Sequence, residues 1–173
     1  MILRLSACLP VLILLLTFAP AFSQTQGLGP GDRVRIIVFG EEDLSGEFEL
    51  DGKGAFSMPL IGTVDGSVPG PRALEDRIAT LLRDGYLKNP RVSVEVLTYR
   101  PIYILGEVNQ PGGYPYRAGM SILTAAAMAG GFTYRADEDD IEVSRGGSGA
   151  PTTMPPETIV QPGDIIRVNE RFF

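Results

Sequence analysis

Turns set the scale of what this chain can build. Glycine and proline, 21 and 14 residues, make up about a fifth of the 173 positions. Long helices are therefore not expected, and the segments between turns are short. The proportion stays below the roughly 25–30% Pro+Gly(+Ser/Gln) at which a non-repetitive chain reads as disordered, and 44% of the residues are hydrophobic. A chain of this length forms one domain, or two small ones sharing an interface.

Composition removes several kinds of chemistry. There is no His, no Trp and one Cys. Histidine acid–base catalysis, a Ser-His-Asp triad, a Cys-His pair and His-ligated zinc are excluded in this chain. The formal net charge is -6 and the pI about 4.7. Nucleic-acid binding needs clustered positive charge, so no nucleic-acid partner is expected.

The first 23 residues read as a secretory signal. Arg4 is the only charge before Asp32, an apolar run covers residues 9–18, and Ala21-Phe22-Ser23 places small residues where a signal peptidase reads. The run is shorter than the ~20 apolar residues that span a bilayer. Cleavage is expected after Ser23, which takes the formal charge from -6 to -7 as Arg4 leaves. Leu5-Ser6-Ala7-Cys8 matches a bacterial lipobox by residue type, but the apolar run follows Cys8 instead of preceding it. Cleavage at Ser23 leaves no cysteine, and with it no disulfide or thiol chemistry.

Beyond the signal the pattern is β-rich. Residues 33–39 read as a strand after the turn Pro30-Gly31-Asp32. Residues 47–50 and 55–60 flank Asp51-Gly52, a hairpin signal. Residues 61–64 continue as an extended piece. Residues 71–84 form the first clear helix, with Pro71 at its start and Gly85 after its end, and with Leu74, Ile78, Leu81 and Leu82 on one face. Val92, Val94 and Val96 alternate with polar residues, as in a half-buried strand. A second unit begins near Pro101: a strand over 102–105, a turn-rich connection over 106–113, an extended piece over 114–116, and a helix over 121–129 with Ser121 as N-cap. Strands over 141–145 and 165–168 close the chain. Pro30-Gly31-Asp32 is echoed by Pro162-Gly163-Asp164, each delivering a strand of Val, Ile and Arg. In such a turn Pro fixes φ, Gly permits a positive φ and Asp caps.

Two stretches carry a family resemblance. Residues 103–116, with Gly106-Glu107-Val108 and Pro111-Gly112-Gly113, followed by a helix ending Ala129-Gly130-Gly131, resemble the soluble-ligand-binding β-grasp (SLBB) module. Leu28-Gly29-Pro30-Gly31-Asp32 and the run from Asn89-Pro90-Arg91-Val92 resemble the polysaccharide biosynthesis/export domain. Their order is that of bacterial polysaccharide export proteins of the Wza type. The resemblance implies an α+β chain: signal peptide 1–23, a small β-rich export domain over 24–99, and a β-grasp SLBB domain over 100–173. It also implies a periplasmic component of capsular or exopolysaccharide export that assembles into a homo-oligomeric ring and is associated with the outer membrane. Its implied partners are the polysaccharide itself and an inner-membrane polysaccharide co-polymerase or tyrosine kinase. Longer members carry further domains and an outer-membrane helix that are not seen before Phe173. This implies the short class and leaves an outer-membrane β-barrel as an open partner.

The residues themselves point to contact, not catalysis. Gly106, Gly112 and Gly113 permit close backbone approach to a neighbouring subunit or a glycan. Tyr114 and Tyr116, near Tyr99 and Tyr103, offer apolar faces and hydroxyls to sugar rings. Arg100 and Arg117 can pair with acidic sugars. The alternatives at each position are a plain β-turn, core strand residues, and arginines paired with local carboxylates. The acidic run 137–140 is expected to be a solvated loop, since it lacks the spacing of a calcium loop, and residues 41–43 are read the same way. Residues 146–149 lack the ending of a phosphate loop. With 21 acidic residues, carboxylate pairs arise by chance, so they do not make a glycosidase. No catalytic residue, metal or cofactor is expected. The competing reading is a monomeric periplasmic β-grasp ligand-binding protein.

Overall fold

A computed structural model describes residues 26–171. The signal segment, its cleavage site and Cys8 lie outside the described residues. Strands β1 (Arg33–Val38), β2 (Gly46–Glu49), β3 (Ala55–Met58), β4 (Gly62–Asp65) and β5 (Val92–Thr98), with helix α1 (Pro71–Arg83), build the first half. Strands β6 (Ile102–Gly106), β7 (Gly112–Tyr114), β8 (Ala136–Ser144), β9 (Thr152–Thr153) and β10 (Ile165–Glu170), with helix α2 (Ile122–Met128), build the second.

In the first half, β2, β1 and β5 form an antiparallel sheet in that order, and β3 and β4 form a separate two-stranded ribbon. Alternation along β1 turns Val34, Ile36 and Val38 into the core. Its outward Arg33 and Arg35 meet Glu47 across β2, and Arg35 also reaches Glu95 on β5. The hydrogen bond between Arg35 and Glu47 is the main reason that the carboxyl is held below, and the guanidinium above, its ordinary pKa. These pairs are solvent-exposed, so they fix register more than they stabilise. Helix α1 buries Leu74, Ile78 and Leu82 against this sheet. Leu81, expected on the same face, is 37% exposed. It lies at the border of the stripe that Leu74, Ile78 and Leu82 define. The Glu75 carboxylate of α1 accepts from the Val94 amide at 2.9 Å, which covers part of the open edge of β5.

The Asp51-Gly52 turn forms, with the Asp51 carboxylate accepting from the amides of Lys53 and Ala55 at 2.8 and 2.9 Å. It does not make the expected hairpin. β2 pairs with β1, and β3 pairs with β4 through a tight turn at Pro59 and Leu60. The turn therefore carries the chain from one sheet to the next. Local turn chemistry fixes the reversal, while the partner is set by which strand the core of β1 can cover.

In the second half the order is β7-β6-β10-β8-β9, with β6 and β10 parallel in the middle and the other pairs antiparallel. Helix α2 closes one face with Ile122, Ala125 and Ala126, capped by the Ser121 hydroxyl accepting from the Thr124 amide. A hairpin, a covering helix and a central parallel pair of first and last strands make up the β-grasp arrangement. Two boundaries differ from expectation. The extended piece near 114–116 is a strand over 112–114, because Pro115 cannot donate to a ladder. Strand β8 begins earlier than expected, at Ala136, but the acidic residues 137–140 within it form a solvated bulge, with Glu138 and Asp139 exposed and Asp140 accepting from Asn169 of β10 at 3.0 Å. The ladder with β10 passes from Val168–Ile141 to Glu170–Ala136, so the four acidic residues are left out of it, as their low strand propensity favours. Among the described residues no helix is long and apolar enough to cross a membrane.

Candidate functional site

The two Pro-Gly-Asp turns are one structure used twice. Asp32 is fully buried, and its carboxylate accepts from the Gly29 amide at 2.9 Å, the Arg100 amide at 2.7 Å and Arg100 Nη1 at 2.8 Å. Asp164 is fully buried too, accepting from the Gln161 amide at 2.7 Å, Arg145 Nη1 at 2.5 Å and, at 3.4 Å, the Gly146 amide. In each turn the aspartate amide donates back to the carbonyl three residues earlier, at 3.1 Å. Gly31 and Gly163 supply the positive φ, +86° and +79°. A buried carboxylate survives only when paired and hydrogen-bonded, and each turn recruits an arginine from a distant part of the chain to meet that need.

Arg100 links the two turns. It lies between β5 and β6, pairs with Asp32 of the first half, and its side chain runs along Gly163 of the second. A Cβ on Gly163 would stand 2.7 Å from Arg100 Nε, and one on Gly29 would stand 2.9 Å from Nη1. Both glycines leave the space that the guanidinium fills. Tyr99 packs against both cores and meets Tyr116 edge-on with ring centroids 5.5 Å apart. Beside this junction opens a cleft of about 310 Å³ lined by Pro30, Gly31, Arg100, Tyr103, Gly147 and Ile165 among others.

The residues expected to make contacts divide by position. Arg100 is engaged internally with Asp32, and its charge is balanced there. Gly106 ends β6 at φ +84°, and a Cβ there would overlap the Val168 carbonyl oxygen. Tyr116 is 8% exposed and packs in the core of the second half. Its hydroxyl makes no well-formed hydrogen bond, and burial is the main cause of its raised pKa, opposed by the nearby Gly119 amide. Tyr114 donates its hydroxyl to the Gln110 carbonyl at 2.5 Å and so ties down the 106–113 connection. Gly112 and Gly113 lie on the edge strand β7, and Gly113 faces Tyr103 directly across the pair. Arg117 is exposed, with no side-chain partner among the described residues.

Tyr103 is the residue that the earlier emphasis on Tyr114 and Tyr116 understated. It is 46% exposed, and a Cβ on Gly113 would lie 3.2 Å from its Cε1, so the ring rests over the glycine. The strand period could have marked it: in β6, Ile102 and Ile104 point inward, which turns Tyr103 outward. The two buried aspartates were visible only as the repeated turn. Arg145 gave no signal, because its partner is 19 residues away.

Comparison with known proteins accounts for most of the chain. Residues 21–97 match the model of the polysaccharide biosynthesis/export protein family, and residues 101–155 match that of the SLBB domain. The exopolysaccharide production protein ExoF of Rhizobium meliloti (strain 1021) is 33% identical over 96 residues, 54% of this chain and 23% of ExoF. The polysialic acid transport protein KpsD of Escherichia coli is 29% identical over 122 residues, 69% of this chain and 22% of KpsD. The chain thus spans about a quarter of the length of these relatives. With an export match followed directly by an SLBB match on a fold that divides in the same order, the chain carries a polysaccharide biosynthesis/export domain followed by an SLBB domain.

Proposed function

We propose that this protein is a non-enzymatic, periplasmic component of a capsular or exopolysaccharide export machinery, working as a homo-oligomeric ring associated with the outer membrane. The observation that carries the reading is the export domain followed by an SLBB domain, joined through the Asp32–Arg100 pair. A ring that conducts polymer needs its subunits to hold shape, and a short junction closed by a buried carboxylate limits hinge freedom. The polymer, an inner-membrane co-polymerase or tyrosine kinase, and an outer-membrane β-barrel are the partners of this reading. Passage relies on weak contacts, because tight binding would stall translocation.

The sheet edges constrain how copies meet. β7 is three residues long between Pro111 and Pro115, and β9 is two residues long after Pro151. Short edges bracketed by proline resist strand pairing. Subunit contacts therefore use side chains and the free side of β2, with Gly112, Gly113 and Arg117 as the exposed or half-exposed positions at the SLBB end. A Gly112→Val, Gly113→Val double variant that still exports polymer normally removes that turn from the assembly.

Deleting the gene and measuring polysaccharide in medium, cell surface and periplasm tests the whole reading. Loss of external polymer, or its build-up in the periplasm, is the expected result; an unchanged distribution with no compensating paralogue overturns it. The same protected edges favour a second reading, a monomeric ligand-binding β-grasp protein. Sedimentation of the purified protein separates the two, since only the first requires a discrete oligomer.

A further inference from the structure

We propose that the cleft at the domain junction is a binding site for a single uncharged sugar ring. The proposal rests on the export reading for its ligand class and names the place and the kind of sugar. Three separate turns meet at this cleft, and each presents glycine at positive φ: Gly31 at +86°, Gly146 and Gly147 at +59° and +77°, and Gly163 at +79°. At Gly31, Gly146 and Gly147 this conformation leaves bare main chain exposed, where a ligand can approach it closely, while the Arg100 side chain covers the open face of Gly163.

One wall is the Tyr103 ring, half exposed and supported from beneath by Gly113. A tyrosine held against a glycine keeps a rigid apolar face for the C–H side of a pyranose and a hydroxyl for its rim. Arg100 is the only charged residue lining the cleft. Its Nη1 is taken by Asp32, and Nη2 and Nε donate to nothing among the described residues. The site therefore offers hydrogen-bond donors without net charge. A polyol gains from that, whereas a carboxylate finds its cation already neutralised. At about 310 Å³ the cleft sits at the small end of the roughly 300–1,000 Å³ of small-molecule sites, which suits one ring and not an extended chain. A second pocket, at the end of α1, is lined by Arg83, Tyr86 and Lys88, whose two cations make no ion pair among the described residues, and provides the contrast.

The test is amide chemical-shift mapping of the purified protein with two probes, the neutral trisaccharide cellotriose and the acidic trisaccharide trigalacturonate. Cellotriose is expected to shift the amides of Gly31, Gly146, Gly147 and Gly163 with millimolar affinity. Tyr103→Ala should weaken this about tenfold, while Tyr103→Phe and the remote Tyr134→Ala bind within about twofold of the unmodified protein. Unchanged far-ultraviolet spectra for all three variants separate loss of the platform from loss of the fold. Three results overturn the proposal: no shift at the cleft with cellotriose, equal or tighter binding of trigalacturonate there, or shifts only around Tyr86. Binding to purified protein is independent of export, so a silent cleft leaves the gene-deletion result to judge the export reading on its own.

Discussion

The Tyr116 hydroxyl is buried with no well-formed hydrogen bond among the described residues, and a group in that position costs about 1–3 kcal/mol. Tyr116→Phe removes the hydroxyl and keeps the ring against Tyr99. We expect it to raise stability by about 1 kcal/mol, read as a higher urea midpoint at unchanged slope. The wild-type phenol carries a raised pKa, so its neutral form stabilises the fold fully below about pH 10 and loses that contribution as pH climbs through the raised value. The Phe variant should lose less stability in that alkaline range. Leu60 is the other residue at odds with its surroundings: at φ +68° and 56% exposed, it holds a left-handed conformation at the β3–β4 turn with little packing in return. Asn tolerates that conformation better than Leu, so Leu60→Asn should be neutral or stabilising by up to about 1 kcal/mol. A clear loss of thermal stability in this variant would mean that Leu60 packs against something within the fold.

At the level of elements, glycines that look alike in sequence do different work. Gly106 is required by the parallel pairing of β6 with β10, since a Cβ there would press into the Val168 carbonyl and the φ is positive. Gly112, six residues on, has only the Tyr114 ring within reach of a Cβ, at 3.9 Å. Gly106→Ala should therefore destabilise by about 2 kcal/mol or more, and Gly112→Ala by no more than about 0.5 kcal/mol. Equal effects in urea unfolding would show that the end of β6 is free to shift away from β10. Much of this level was legible. Strand alternation, the α1 stripe apart from Leu81, and the Ser121 cap are local properties, and they appear where the sequence places them. The misreadings share one cause. The partner of the strand after the Asp51-Gly52 reversal and the early start of β8 at Ala136 both depend on which distant strand lies alongside, and no local window contains that.

For the whole molecule, the junction decides whether two small cores behave as one. Arg100→Ala leaves Asp32 buried with only the amides of Gly29 and residue 100 to satisfy it. A loss of about 3 kcal/mol is expected, at the low end for a broken buried pair because those amides remain. The loss should fall on the first half, so a single urea transition in the wild type becomes two in the variant. A single transition that merely moves would argue that the cores are coupled by Tyr99 and not by the ion pair. On the acid side, Glu47, Asp51 and Asp65 are all held below their ordinary pKa values: Glu47 chiefly by Arg35, Asp51 by the Ala55 amide, and Asp65 by Arg77. Their contribution is complete above the ordinary carboxylate range and is lost as pH falls through the lowered values, so thermal midpoints should decline below about pH 4.

The sequence by itself determined the two-part α+β organisation, both helices, most strands and the paired Pro-Gly-Asp turns, because periodicity, caps and turn chemistry act over a few residues. It also supplied the export and SLBB resemblance that the family matches bear out. Only the tertiary structure decided that the two aspartates are buried, that Arg100 is bound to Asp32, that Tyr103 faces a cleft while Tyr116 is interior, and that Gly106 is fixed by Val168. Each of those is a matter of contact between residues far apart in the chain. Burial and pairing are properties of the place where such segments meet, and that place exists only once both halves have folded around it.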